Sequence, residues 1–420
     1  MTAPLTQPDP AGLIDRFDTS YEDLAAPFRP VFERITAGAL DRERNRVLPF
    51  EPIEWLKAAG FGAVRLPEDL GGGGASITDL IRLLVELAAA DPNITQALRG
   101  HFAFVEDRLV APSGPQRDVW LARFAAGDLF GIAWTEIGDV PLGGVRTSVA
   151  PTDDPGFFAV NGEKFYSTGS IFADWIDINA RRTDTGEVVV VAVGARAEGV
   201  THLDDWDGFG QRTTGSGTSL YRDVRVPAEH LFALDARFRY QGAFYQLVHL
   251  ATLAGIARAA TAELVKQVRA RTRTYSHGNT ATFAADPQIQ QVIGEVSAAA
   301  FAAEAVALSA ANQVQRAHDA ALVGDPATEP AANLNAELST SRGQVIVSEL
   351  VVAATSKIFN ALGASGLRTD LGLDRFWRNA RTIASHNPTV FKAKVIGDYE
   401  TNGTKPDGDW EVGVSQRNSV

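Results

Sequence analysis

The chain has 420 residues, 45% hydrophobic and 21% charged, with a formal net charge of −12 and no cysteine. That length and apolar content predict two or three domains with buried cores, and the missing cysteine excludes disulfides, thiolate metal sites and cysteine nucleophiles. The negative charge repels phosphate backbones and anionic lipid, which argues against nucleic-acid or membrane binding as the main task and leaves room only for a local basic pocket.

Residues Met1 to Pro10 have neither a basic start nor an apolar core, so no secretory signal is expected there. No run is expected to approach the length of a membrane span, and a cytoplasmic protein follows as the expectation. From residue 12 to 130 apolar residues recur three and four apart, as in Tyr21 to Phe28, Ile53 to Ala59 and Ile77 to Ala90. Gly60 and the run Gly71 to Gly74 stop these segments. Residues 1–128 therefore read as a helical domain.

After Asp128 the pattern changes to short β-branched and aromatic runs, including Phe157 to Tyr166, Trp175 to Ala180 and Glu187 to Val193. Asp-Pro, Asn-Gly and Thr-Gly turns separate them, which predicts an antiparallel β domain over 129–239. Helices return at Tyr240. One is expected over Gln246 to Arg273, and a second starts with Asp286 as N-cap and Pro287 in its first turn and runs to about His318. A break at Gly324 to Pro330 precedes a third helix over Asn333 to Asn360. The alanine content permits close approach, so residues 240–396 read as a four-helix bundle and 397–420 as an extended tail. The fold class is α+β, mainly α.

Three blocks recur in a telling order: Trp134-Thr135-Glu136 continuing to Gly144, Val160 to Gly169, and Asp223 to Pro227. Singly they are an ordinary hairpin turn or strand end. Together, between two helical regions, they resemble the acyl-CoA dehydrogenase superfamily over nearly the whole chain. The resemblance implies a flavin whose ring edge lies along Trp134 and Thr135 and whose N5 side is approached by Phe165, Tyr166 and Ser167. It also implies a homotetramer in which an arginine reaches the flavin phosphate across a subunit interface. Arg273 fits that position better than Arg271, although a cation near a helix C-terminus is favourable in its own right.

The departure from the dehydrogenases lies at the end of Asp374 to Pro388. Those enzymes carry a glutamate base after an Arg-Asp-Ala run. Here Arg378-Asn379-Ala380 is followed by Thr382 to Pro388, and no carboxylate lies between Asp374 and Asp398. Some dehydrogenases place the base on an earlier bundle helix. An FAD-dependent acyl-CoA dehydrogenase therefore stays open as the alternative, with Glu263 and Glu349 unassigned.

A smaller branch of the superfamily, flavin-dependent monooxygenases that oxidise sulfur and nitrogen compounds, resembles the chain at His101, Ser167 and His386. That branch uses O2 and reduced FMN delivered by a separate flavin reductase, and implies that the three residues surround a flavin C4a-hydroperoxide. The implied substrate is small and largely apolar, with an oxidisable sulfur, nitrogen or aromatic carbon. Taken alone, His101 reads equally as a helix histidine bonded to a nearby carbonyl, His386 as a partner of a helix C-terminus, and Ser167 as a turn hydroxyl. His202, His230, His249, His277 and His318 show no metal-ligand spacing, and no metal is expected. No Gly-x-Gly-x-x-Gly follows a strand, which argues against a Rossmann nicotinamide site.

Overall fold

The computed structural model describes residues 19–406. Its amino-terminal region is helical: α1 (Thr19–Ala25), α2 (Arg29–Asn45), α3 (Phe50–Ala58), α4 (Ile77–Ala90), α5 (Pro92–Ala97), α6 (Arg99–Val110) and α7 (Pro115–Ala125). Ser76 starts α4 with a capping box, its hydroxyl accepting from the Asp79 N–H at 3.0 Å while Asp79 accepts from the Ser76 N–H. Asp91 both caps α5 and accepts from the buried Arg42, so one carboxylate fixes a helix start and anchors α2.

The middle of the chain forms β1 (Phe130–Ala133), β2 (Ser148–Pro151), β3 (Phe157–Lys164), β4 (Trp175–Arg182), β5 (Val188–Gly194), β6 (Val200–His202), β7 (Ser219–Pro227) and β8 (Leu231–Ala233). They make one sheet in the order β6-β7-β3-β2-β4-β5-β8, with β1 also on β4. The sheet is mixed, which corrects the antiparallel expectation: both β1 and β2 run parallel to β4. The hairpin turns legible in the sequence specify only neighbouring antiparallel pairs. Parallel pairs come from long crossovers that leave no turn signature.

A second correction concerns Asn161-Gly162, which is not a hairpin turn. It lies inside β3 at a bulge opposite β7. There Asn161 and Asp223 exchange two hydrogen bonds of 2.9 Å, tying the second sequence block to the third.

Three long helices follow: α8 (Gln241–Ala270), α9 (Pro287–Val323) and α10 (Glu329–Leu362), then the shorter α11 (Asp374–Ala384) and α12 (Thr389–Asn402). Asp286 caps α9 through the Gln288 N–H at 2.9 Å, with Pro287 in the first turn. The short α11 packs on α8 and α10 as the fourth member of the bundle. Gly255 sets the approach of α8 to α4, since a Cβ there would lie 2.4 Å from that of Ala88. The expected tail is partly helical: residues 397–402 belong to α12, while 407–420 lie outside the described residues, as does the amino-terminal segment read for a secretory signal.

By length and composition α8, α9 and α10 could each cross a membrane, which corrects the expectation that no run approaches that length. The alanines that permit close packing also raise the mean hydropathy of all three helices. In α8 the apolar window is 72% buried within the fold, whereas in α9 it is only 22% buried.

Candidate active site

The first two sequence blocks meet in space. Thr135 and Phe165 form a bridge, the Phe165 N–H donating to the Thr135 carbonyl at 2.8 Å. The next residue on each side locks the pair: fully buried Lys164 donates to Glu136 at 2.7 Å and to Asn179 at 2.6 Å. Burial pushes the Glu136 carboxyl up, but Lys164 and the N–H and hydroxyl of Thr147 outweigh it and hold the pKa at about 2. Glu136 is therefore a permanently ionised brace.

Trp134, expected along a flavin edge, is half-buried and tethered, its indole N–H donating to Asp177 at 2.8 Å. Asp177 in turn accepts from Arg237 at 3.0 Å. Ser167 is buried, its hydroxyl donating to the Lys164 carbonyl at 3.3 Å and its N–H to the Gly217 carbonyl at 3.0 Å. Between these two sits Tyr166, 54% exposed, with φ of +55° and its ring edge-on to Trp206. An aromatic residue at positive φ is strained, and such strain concentrates at ligand sites.

His101 does not join this arrangement. On α6 its Nε2–H donates to the Gly62 carbonyl at 2.8 Å, and its Nδ1 accepts the Phe130 N–H at 3.2 Å. The ring is fully buried among Phe102 and Phe124, and burial lowers its pKa to about 4. Both nitrogens are spent on backbone. The structure thus corrects the placement of His101 in a peroxide site: it pins the loop before β1 to the helical region.

His386 has a different partner, one the sequence reading passed over. Its ring lies 4.4 Å, centroid to centroid, from that of His249 on α8. Pairing every donor with an acceptor fixes the tautomers. Gln246 donates through Nε2 to Asn387 Oδ1 at 3.2 Å, so His386 Nδ1, 2.9 Å from the same oxygen, carries its proton. Gln246 Oε1 accepts from Gln344 and therefore also from His249 Nδ1 at 3.3 Å, while Gln96 Nε2 donates to His249 Nε2. His386 Nε2 is left as a bare acceptor.

The His386 ring is accessible to solvent, yet burial and the nearby Arg99 lower its pKa to about 4. Its accessible face, ring to ring with His249 and within reach of the Arg99 charge, borders the candidate recess. Burial, His386 and Arg99 push His249 well below the usual histidine range as well. Gln96 and Arg99 stand three apart at the α5–α6 junction, as do Gln246 and His249 on α8. On α8, where Gln246 and His249 interrupt an apolar run, that spacing was the available signal.

The strand connection of residues 203–218 is tied to α5, which carries Gln96, and to α11, which leads into His386. Its Gln211 N–H donates to Asn379 on α11 at 2.6 Å, its Thr213 N–H to Asn93 on α5 at 3.3 Å, and its Thr214 carbonyl accepts from Gly169 at 3.1 Å. A Cβ on Gly169 would lie 2.1 Å from the Ala97 carbonyl, so α5 seats directly on this turn. Around these ties Thr95 Oγ1, Gln96 Oε1, Thr213 Oγ1 and both amide atoms of Gln211 are buried without a partner. Buried polar atoms left open in a cluster call for a ligand.

Comparison with known proteins agrees with this layout. Residues 23–128 match the model of the acyl-CoA dehydrogenase N-terminal domain and residues 247–391 that of its C-terminal domain. A dibenzothiophene monooxygenase of Mycolicibacterium goodii is 30% identical over 383 residues, covering 87% of this chain and 91% of the relative. The chain belongs to the acyl-CoA dehydrogenase superfamily. Within it the chain falls in the flavin-dependent monooxygenase branch. A probable FMNH2-dependent monooxygenase, SfnC of Pseudomonas putida, is 25% identical over 413 residues, covering 97% of this chain and 98% of the relative. The solved structure of TdsC from Paenibacillus sp. A11-2 with FMN and indole superposes with a TM-score of 0.84 at 24% identity, covering 92% of this chain and 99% of that one.

Against the superfamily's dehydrogenases, the recess holds no carboxylate among the described residues. No acidic group acts on His249 or His386. The buried acids among the described residues are all engaged elsewhere: Glu43 with Arg378, Asp91 with Arg42, Glu106 with Arg65, Asp107 with Arg108 and Arg237, Asp177 with Arg237, and Asp286 with the N–H groups of Gln288 and Asn279. Glu263 bonds Lys266 and Gln267 on its own helix, and Glu349 is exposed. After α8, Arg271 donates to the Leu362 carbonyl at 2.7 Å, whereas Arg273 is exposed and bonded to nothing among the described residues.

Proposed function

We propose that the chain is the oxygenase component of a two-component monooxygenase that takes reduced FMN from a separate flavin reductase and O2 from solution. One observation carries this reading: the recess wall that would need a carboxylate to abstract a proton presents the neutral pair His249 and His386 instead. The substrate is a small molecule with an oxidisable sulfur, nitrogen or aromatic carbon.

The residues present fit a flavin. Exposed Tyr166 offers a flat apolar face beside the bridge of Thr135 and Phe165, and the unpartnered Gln211, Thr213 and Thr95 offer polar atoms around it. Exposed Arg273 supports a phosphate contact made from another subunit, and the bare apolar face of α9 supports assembly as a homotetramer. Reduced FMN, when bound, supplies the two electrons that send one oxygen atom to substrate and the other to water.

The chain's own part is to position protons and keep water out. At neutral pH His386, with its pKa near 4, is uncharged; its Nδ1–H is spent on Asn387, and its Nε2 accepts a hydrogen bond from a protonated oxygen without stripping the proton. His249, ring against ring, fixes its orientation. The test supplies a flavin reductase, NADH and 18O2 with a candidate sulfur heterocycle and follows one labelled oxygen into product. Anaerobic acyl-CoA should leave oxidised flavin on the protein unbleached; bleaching would establish the dehydrogenase alternative.

A further inference from the structure

Buried arginines in this fold follow a rule. Arg42 pairs with Asp91 at 2.9 Å, Arg65 with Glu106 at 2.9 Å, Arg82 with Asp79 at 3.4 Å, and Arg237 with Asp177 at 3.0 Å, while Arg108 pairs with Asp107. Arg99 breaks it. It is 8% exposed, yet no carboxylate, carbonyl or hydroxyl among the described residues accepts from its guanidinium, and its Nε is buried without a partner. The Tyr245 ring lies 4.7 Å from the guanidinium carbon. Burial pulls its pKa down, but an arginine does not shed its proton in a protein.

A lone buried cation costs several kcal/mol unless an anion answers it. Tyr245, His249 and His386 all feel its charge, and the two histidines are neutral, so no group among the described residues supplies the missing charge. The net charge of −12 makes such a pocket one of the few places where the molecule could attract an anion at all.

We propose that the substrate carries an anionic oxyacid group, a carboxylate or a sulfur oxyanion, which pairs with Arg99 at the floor of the recess while the oxidisable atom faces His386. Arg99 is then a specificity-determining residue, and the largely apolar substrate implied by family resemblance is replaced by a small amphipathic anion. The planar guanidinium suits such a group because it donates two parallel hydrogen bonds. The reaction assigned to the recess rests on the monooxygenase reading; the anion site does not.

Calorimetry on the flavin-free protein tests the site directly, with benzoate and benzenesulfinate as anionic probes and benzamide as a neutral isostere. Both anions should bind and benzamide should bind far more weakly. Arg99→Gln should weaken the anions by at least about thirtyfold and leave benzamide unchanged, while Arg99→Lys, which keeps the charge, should retain part of the preference. Circular dichroism confirms that each variant folds. Equal binding of benzoate and benzamide, no binding of either anion, or an Arg99→Gln variant that keeps the preference overturns the proposal. So does loss of FMN binding in Arg99→Gln together with competition by inorganic phosphate, because the anion would then be the flavin's own phosphate. Intact anion preference without 18O incorporation would overturn the monooxygenase reading alone.

Discussion

Two buried polar clusters lie along α6 and make an instructive pair. Around Glu106 every group is answered: Arg65 donates at 2.9 Å, Tyr240 at 2.7 Å and His318 at 2.6 Å, and although burial pushes the carboxyl up, these partners hold its pKa at about 2. Around Arg99, at the start of the same helix, a cation, the Nε2 of His386 and several amide and hydroxyl atoms stand open. The fold can plainly close a buried network, so the open one is there for something that arrives later.

The largest expected effect breaks the closed cluster. Glu106→Gln leaves Arg65 buried without its anion and should lower unfolding stability by about 3–5 kcal/mol in urea titrations. A loss under about 1 kcal/mol would mean that the network contributes nothing the recess lacks.

Next comes His101, which belongs with the closed cluster although the sequence placed it with the open one. Its folded pKa of about 4 lies below the unfolded value, so below pH about 6.5 the unfolded state binds a proton that the folded state refuses. Stability should therefore be fully present above pH about 6.5 and fall by about 3 kcal/mol as pH drops to about 4. In His101→Gln that slope should flatten by about one proton, whatever the variant's absolute stability.

His386→Ala reverses the pattern. It should cut product formation about a hundredfold under reductase-coupled assay while the melting temperature stays within a few degrees, because its ring faces the recess rather than the core. Equal losses in His101→Ala and His386→Ala, after correction for folded fraction, would erase the distinction. The smallest effect sharpens it most: Arg99→Met should leave the stability of the ligand-free protein unchanged or raise it, the opposite sign to Glu106→Gln.

The element order and the helix start at Asp286 were readable, because caps, prolines and apolar spacing are local. The three sequence blocks were readable as neighbours only through family likeness. Asn161-Gly162 misled, since the same dipeptide serves a hairpin and a bulge, and the parallel pairing of β4 has no local signature. His101 and His249 exchanged roles for a similar reason: which face of a helix meets a backbone carbonyl and which meets a recess is decided by segments far away in sequence. His386 and Ser167 carried the family pattern, and the geometry gives His386 a partner while leaving Ser167 bonded within its own turn.

The connection from residue 203 to 218 also bears on how this enzyme could be retargeted. Gly210 packs so tightly that a Cβ would lie 2.1 Å from the Arg378 carbonyl, and Gln211 is tied to Asn379, the next residue on α11. Any mutagenesis library that lengthens or bulks this loop will drag α11, and His386 just beyond its end, with it. The loop and α11 are mechanically geared together, so directed evolution should vary them as one unit.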